Sequence, residues 1–379
     1  MEKPAIEVLL GSADQGGCAA YRMLFPQLVL QSREKNRYRF TSTQRYIVDQ
    51  NFYKNLNIIR LQRQCADFQV RFLKDFLRPL SNAYGFWTMY EIDDLIIYDE
   101  LPMYNNAREA FSDKFELIKE AMTIMDVVTT TTDTLAQTYA TRFNLPIEKF
   151  VVIPNYLPKW WIGDSYNLDR IKQVYRDRRG RPTIGITCSI SHYDIDNKNG
   201  YKDDFTGIID LVKSTVKKYD WVFVGAVPKL LEQEARDRKI RVVPPLDIMN
   251  YPQGIAGHFN FIVAPLENNL FNRCKSNIKL LESWSLGIPV IAQDNDCYTP
   301  YTNMTFDTAY KIQDTIDDLM RYEKKFLETV RRNRDFIENG DKTVKYFEKG
   351  AWLENNLDKW NILYQTQKKS QTVKINIPE

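Results

Sequence analysis

The chain is poor in the residue types from which metal centres and disulfide frameworks are built. Two histidines, His192 and His258, are too few for a site with several imidazole ligands. The five cysteines, Cys18, Cys65, Cys188, Cys274 and Cys297, are odd in number, scattered, and never in a C-x-x-C pair. That argues against a disulfide scaffold or a zinc site and fits a reducing compartment. An excess of one charge is also missing: 52 basic and 49 acidic residues leave +3, too balanced to announce a nucleic-acid-binding protein, although local patches can still hold phosphate. Long apolar runs are absent. Stretches such as 150–153 and 259–265 fall far short of the ~20 residues of a membrane span. The opening MEKPAIEVLLGSADQGG carries one Lys and an apolar run broken at Gly11, so it reads as a first strand and not as a signal peptide. The expectation is a soluble cytoplasmic protein without stable membrane insertion.

What is present fits an α/β protein of two domains. A length of 379 residues exceeds the roughly 150 typical of one domain, and 44% hydrophobic residues can fill two cores. Residues 5–10, 57–61, 86–92, 125–130 and 150–153 read as short buried strands. Helical periodicity runs over 19–31, 69–80 and 107–122 between them. Strand, helix, strand repeated in this way predicts a mostly parallel sheet covered on both faces. A second alternation follows "IPNYLPKWWIGDS" at 153–165, with strands over 183–188, 221–225, 239–243, 260–264 and 289–292. The expected division is 1–155, 156–340, and a C-terminal helical segment over 341–379. Ligands of doubly wound sheets bind at the strands' carboxyl ends, so the default site is a cleft between the halves.

Four stretches at such ends carry candidate chemistry. "GSADQGGCAAYRML" places Gly16 and Gly17 where backbone can approach a ligand and a helix N-terminus can receive an anion. It lacks both G-x-G-x-x-G and G-K-[ST], and a plain tight turn reads equally well. "YEIDDLI" puts Asp93 and Asp94 at the end of a strand, suited to accept from or deprotonate an acceptor hydroxyl if the site raises a pKa; capping and solvation are the bland alternative. "ITCSISHYD" delivers Ser189, Ser191 and His192, which can bind phosphate oxygens, with a cationic or N–H-donating His192 stabilising a leaving group. Finally, "RCKSNIKLLESWSLGIPVIA" reads as one helix with Lys275, Lys279 and Glu282 on one face. Lysines at its N-terminal end, with Ser276 beside them, suit a diphosphate, and Glu282 suits the two hydroxyls of a ribose. Surface i, i+4 pairing is the competing account of these charges.

Taken together, "GGCAAYRM", "LQR" at 61–63, "YEIDDL", "VIPN" at 152–155 and "SISH" with "KSNIKLLESWSLGIPVIA" resemble, in order, the GT-B glycosyltransferases similar to glycosyltransferase family 4. The resemblance implies two Rossmann-like domains facing across a cleft and transfer of a sugar from a nucleotide-sugar, by default a UDP-sugar, with no metal or further cofactor. It implies donor contacts from Gly16, Gly17, Arg22, Ser189, Ser191, Lys275, Ser276, Lys279 and Glu282. Catalytic roles fall to Asp93, Asp94, His192 and Lys275, and acceptor contacts to Arg63, Asp93, Asp94 and Tyr104. It further implies that the segment around 352–364 crosses back to the first domain. One departure stands out: retaining members show Glu, seven residues, Glu, and counting back from Glu282 reaches Cys274. Retention of configuration is still the expectation.

The motifs also resemble glycosyltransferases of T-even-like bacteriophages, some of which decorate 5-hydroxymethylcytosine. A DNA acceptor would allow Phe86, Trp87 or Tyr104 to stack on a flipped base. The alternatives are a surface glycan or lipid-linked acceptor, or a non-catalytic nucleotide-sugar-binding protein on the same fold. These motifs do not encode the sugar, the nucleotide base or the oligomeric state.

Overall fold

The structure is a computed structural model that describes residues 6–33 and 38–339. Among these, the chain forms two compact units, one from residues 6–33, 38–95 and 113–156, the other from 96–112 and 157–339. The C-terminal segment 341–379, expected to be helical and to cross back, lies outside the described residues.

The first unit is built on six strands, β1 (Ile6–Gly11), β2 (Tyr38–Thr43), β3 (Ile58–Gln62), β4 (Trp87–Glu91), β5 (Val127–Thr130) and β6 (Phe150–Val152), in the order β2-β1-β3-β4-β5-β6. Every pairing is parallel. β3 (IIRLQ) and β4 (WTMYE) are buried along their whole length, so the polar residues they carry, Arg60, Gln62, Thr88 and Glu91, are buried with them. The sequence gives no such signal for β2, "YRFTST", because it is an edge strand whose residues are mostly not buried. The core packs Val8, Leu10, Ile58, Trp87, Met89 and Val127 together.

The second unit repeats the plan with β7 (Thr183–Cys188), β8 (Asp220–Gly225), β9 (Arg241–Val243), β10 (Phe261–Ala264), β11 (Val290–Gln293) and β12 (Thr305–Phe306), ordered β12-β11-β10-β7-β8-β9. These pairings too are all parallel. Ile184, Ile186, Trp221, Phe223 and Phe261 meet Ile312 and Ile316 of the helix Ala309–Arg321 and Phe326 of the helix Glu323–Asn339. At the end of β8, Gly225 has φ +105, and an added Cβ would lie 2.3 Å from the Cys188 carbonyl oxygen. Only glycine permits β7 and β8 to close so tightly under the loop that carries His192.

One expected element is split. The periodicity over 107–122 predicts a single helix, but a short turn at Arg108–Phe111 belongs to the second unit and the helix Phe115–Ile124 to the first. Ser112 and Asp113, residues that favour helix boundaries, mark the break.

Candidate functional site

In the second unit, the turn after β7 carries Ser189, Ser191 and His192. The two serine hydroxyls lie 2.6 Å apart and are exposed, available to an incoming ligand. His192 is held from behind: its Nδ1 lies 2.6 Å from Oδ2 of Asp204, which is 3% exposed. Burial, helped by the charges of Lys275 and Lys279, pushes the imidazole below its usual pKa, against the pull of Asp204.

The lysine-bearing stretch differs from the single helix expected. The helix Leu270–Arg273 ends before Cys274, and a new helix, Ile278–Ser285, starts after Asn277. Lys275 therefore lies in the turn between them, its ammonium 4.5 Å from the centre of the Phe271 ring, not on a shared face with the other two charges. Lys279 and Glu282 do share a face of the second helix, 3.4 Å apart. Burial works against the charge on Lys279, but the Tyr251 and Glu282 oxygens outweigh it and raise the lysine above its ordinary pKa. Cys274, where the resemblance expects an acid, is buried.

Around this helix three buried side-chain polar atoms make no well-formed hydrogen bond: Thr187 Oγ1 at the end of β7, Tyr251 OH, and Asn277 Nδ2. Tyr251 and Thr187 lie close enough to act on each other, Glu282 and Lys279 also bear on Tyr251, and burial pushes its hydroxyl up to about 12. Buried polar groups with loosely made internal contacts are suited to meet a ligand. Thr187 lies within the stretch ITCSISHYD but was passed over for the residues after the strand, and Tyr251 escaped because no motif marks it; it comes from a helix after β9, far along the chain from either neighbour.

The first unit gathers Arg63, Asp93 and Asp94 as expected, with two additions. Arg63, at φ 48, closes β3 in a left-handed conformation unusual for a side-chain-bearing residue. Its Nε donates to Asp93 Oδ1 at 3.1 Å, and its Nη2 lies 3.3 Å from Asp14 Oδ2. Cys18 Sγ, Asp93 and Asp94 offer atoms within 4.8 Å of one another. Burial first, then Asp94, raises the Asp93 pKa above the ordinary range although Arg63 pulls it down. Gly16 donates its N–H to Asp14 Oδ1 at 2.8 Å, so the protein's own carboxylate sits where an anion was expected. A Cβ added at Gly16 or Gly17 would meet nothing closer than 3.5 and 3.9 Å, so internal packing does not demand glycine there. Beside this loop, a cavity of ≈ 370 Å³ opens at the carboxyl ends of β1, β2 and β3, lined among others by Ser12, Gln44, Tyr46, Gln64 and Phe68.

Two expectations are corrected by burial. Arg22 is 2% exposed, and its guanidinium is consumed internally: Nε donates to Glu91 at 2.5 Å, and Nη1 donates to the Ile153 carbonyl at 2.6 Å and to Asn155 at 3.0 Å. It braces the first unit and has no free edge for a donor molecule. Tyr104, assigned to the acceptor, belongs to the second unit; it is 3% exposed and donates its hydroxyl to Asp204 at 2.7 Å. Phe86 and Trp87 are buried as well, so none of the three rings has a face to offer a base.

No family model and no curated protein sequence matches the chain. Solved structures match nearly all of it. HepE of Anabaena, determined with UDP and glucose, superposes with a TM-score of 0.57 at 11% identity, over 95% of this chain and 100% of that one. The fold is GT-B. A glycosyltransferase from Rickettsia africae gives 0.56 at 12% identity, over 97% and 100%. WaaG, a glycosyltransferase involved in lipopolysaccharide biosynthesis, gives 0.55 at 11% identity, over 93% and 99%. At such identities the likeness carries the architecture, and the chemistry must come from the residues. Among the described residues no helix is long and apolar enough to cross a membrane.

Proposed function

We propose that the protein transfers a sugar from a nucleoside-diphosphate sugar to an acceptor hydroxyl. The observation that carries this reading is the buried polar cluster of Thr187, Tyr251 and Asn277, none making a well-formed hydrogen bond, around the helix bearing Lys279 and Glu282. Glu282 accepts from the ribose hydroxyls, while Lys275, Ser276, Lys279 and the helix N-terminus face the diphosphate. Ser189 and Ser191 add donors; in the first unit, Gly16 and Gly17 are proposed donor contacts through their open Cβ positions, since the Gly16 N–H is taken by Asp14. UDP is the proposed nucleotide, in line with the UDP bound to HepE.

Charge accumulates on the leaving diphosphate as the glycosidic bond breaks, and Lys275 and Lys279 stabilise it. In the first unit Asp93, with its raised pKa, is suited to take the acceptor's proton, with Asp94 beside it and Arg63 orienting it. We infer a retaining reaction in which the acceptor oxygen attacks from the face the diphosphate leaves.

The acceptor proposed from the phage resemblance is the hydroxymethyl group of 5-hydroxymethylcytosine in DNA. The burial of Phe86, Trp87 and Tyr104 removes the rings that supported it, and a glycan or lipid-linked acceptor is the second reading. A nucleotide-release assay with UDP- and GDP-sugars, run with and without 5-hydroxymethylcytosine duplex, separates these readings. Release stimulated by modified but not ordinary DNA identifies the DNA acceptor. Slow release indifferent to DNA points to a glycan acceptor, and no release with any donor leaves a binding protein.

A further inference from the structure

His192 faces the lysines with one ring nitrogen already committed, and the network behind it dictates which nitrogen carries the proton. Asp204 is 3% exposed and accepts from four directions. Its Oδ1 receives Tyr104 OH at 2.7 Å, Asn272 Nδ2 at 2.6 Å and the Glu267 N–H at 2.8 Å, while Oδ2 faces His192 Nδ1 at 2.6 Å. The direction of each bond is fixed. Tyr104 OH itself accepts from Asn269 and Asn272, at 3.1 and 3.0 Å, so its own proton points to Asp204. Burial opposes ionisation of Asp204, but these donors outweigh it and hold the carboxyl below its ordinary pKa. A carboxylate has no proton to give, so the hydrogen between Asp204 and His192 belongs to Nδ1.

We propose that Asp204 is a positioning residue that locks His192 as the Nδ1–H tautomer, so that its bare Nε2 accepts a hydrogen bond from a hydroxyl of the sugar being transferred. This inverts the role expected from the sequence, in which His192 donates to the leaving group. Lys275 and Lys279, whose charges bear on His192, disfavour the imidazolium that such donation would need. Phosphate oxygens only accept, so a bare Nε2 has nothing to offer them. Glu282 already serves the ribose hydroxyls, which leaves the hydroxyl-rich sugar as the matching group. The choice of sugar as occupant rests on the donor site proposed above; the tautomer does not.

Ring nitrogen NMR reads the tautomer directly, and with two histidines in the chain a His258→Gln variant assigns the signals. The free protein near pH 7.5 is expected to show a protonated Nδ1 and a bare Nε2 at His192. A protonated Nε2, or an imidazolium, overturns the proposal without any ligand being present. Addition of UDP-glucose should move the Nε2 resonance toward its hydrogen-bonded position, whereas UDP should leave it in place. An Nε2 signal indifferent to a UDP-sugar that calorimetry shows to be bound overturns the sugar contact. Failure of every UDP- and GDP-sugar to bind by calorimetry counts against the donor site, while the spectrum of the free protein still decides the tautomer. Asp204→Asn should release the tautomer and weaken UDP-glucose about tenfold, the scale of one hydrogen bond, with UDP affinity nearly unchanged. Equal losses for both ligands would mark Asp204 as merely structural.

Discussion

The two units carry charge at the carboxyl ends of their sheets in opposite ways. In the first, Glu91 at the end of β4 is fully buried and clasped by Arg22, Arg60 and the Thr129 hydroxyl, so charges and donors answer one another within the protein. In the second, Lys279 and Glu282 pair at 3.4 Å beside Tyr251 and Thr187, whose hydroxyls are buried without a well-formed hydrogen bond. A closed network is a brace; an open one is a receptor. Similar residue types, acids and bases near strand ends, thus serve two ends: a fully buried carboxylate neutralised by two buried arginines in one, a partly exposed lysine–glutamate pair in the other.

The largest test of this contrast is Glu91→Ala, which strands two buried arginines and should cost about 3–5 kcal/mol of stability in denaturant unfolding. Glu282→Ala should cost less, because Lys279, with 25% of its side chain exposed, is less deeply buried than the two arginines. A comparable loss at both positions would erase the distinction. Next in size, Lys275→Ala should lower turnover by roughly two to three orders of magnitude with an unchanged circular dichroism spectrum; full activity would move the diphosphate elsewhere. Glu282→Ala should weaken UDP by about tenfold or more, as expected for a charge-assisted hydrogen bond, measurable by calorimetry. Gly16→Ala should be smaller still: φ −88 suits alanine and the added Cβ finds room, so melting should hold while the KM for the donor rises. A melting drop there would return Gly16 to a purely structural role.

The gentlest probe compares two acids two residues apart on one strand end. Burial pushes Glu91 up, but Arg22 and Arg60 overcome it, so its folded pKa lies below the ordinary 4.5. Its stabilising contribution is complete above that value and is lost as pH falls through the folded pKa. Asp93 is shifted the other way, above the ordinary 3.8, by burial and Asp94. Its contribution is present below 3.8 and is lost as pH rises through the folded pKa. Asp93→Asn should therefore gain stability at neutral pH relative to wild type and Glu91→Gln should lose it, read from urea unfolding between pH 4 and 7. The same sign for both variants would contradict these shifts.

Much of the sheet architecture was legible in the sequence because strands buried on both faces are rich in apolar and β-branched residues, unbroken in β10 and interrupted by only one or two polar residues in β3, β4 and β7. The edge strands β2 and β12 were not, since they bury too little to leave a pattern. Of the candidate residues, those in the turn after a strand, such as Asp93 and His192, were nominated by position alone, whereas Lys279 was nominated by its place in the first turn of a helix. Arg22 and Tyr104 show where position fails. An arginine after a glycine-rich turn reads the same whether it meets a ligand or a buried glutamate. A tyrosine between β4 and β5 gives no hint that its segment, 96–112, packs in the other unit.

The sequence by itself determined the alternating α/β plan, the two halves, and the strand ends at which chemistry would gather, because these follow from local periodicity and turn residues. Tertiary structure alone decided which charges are spent on each other and which remain open. That choice depends on partners remote in the chain, Glu91 for Arg22 and Asp204 for both His192 and Tyr104. Burial, which makes every unpaired polar group costly, comes into force only once those partners have met.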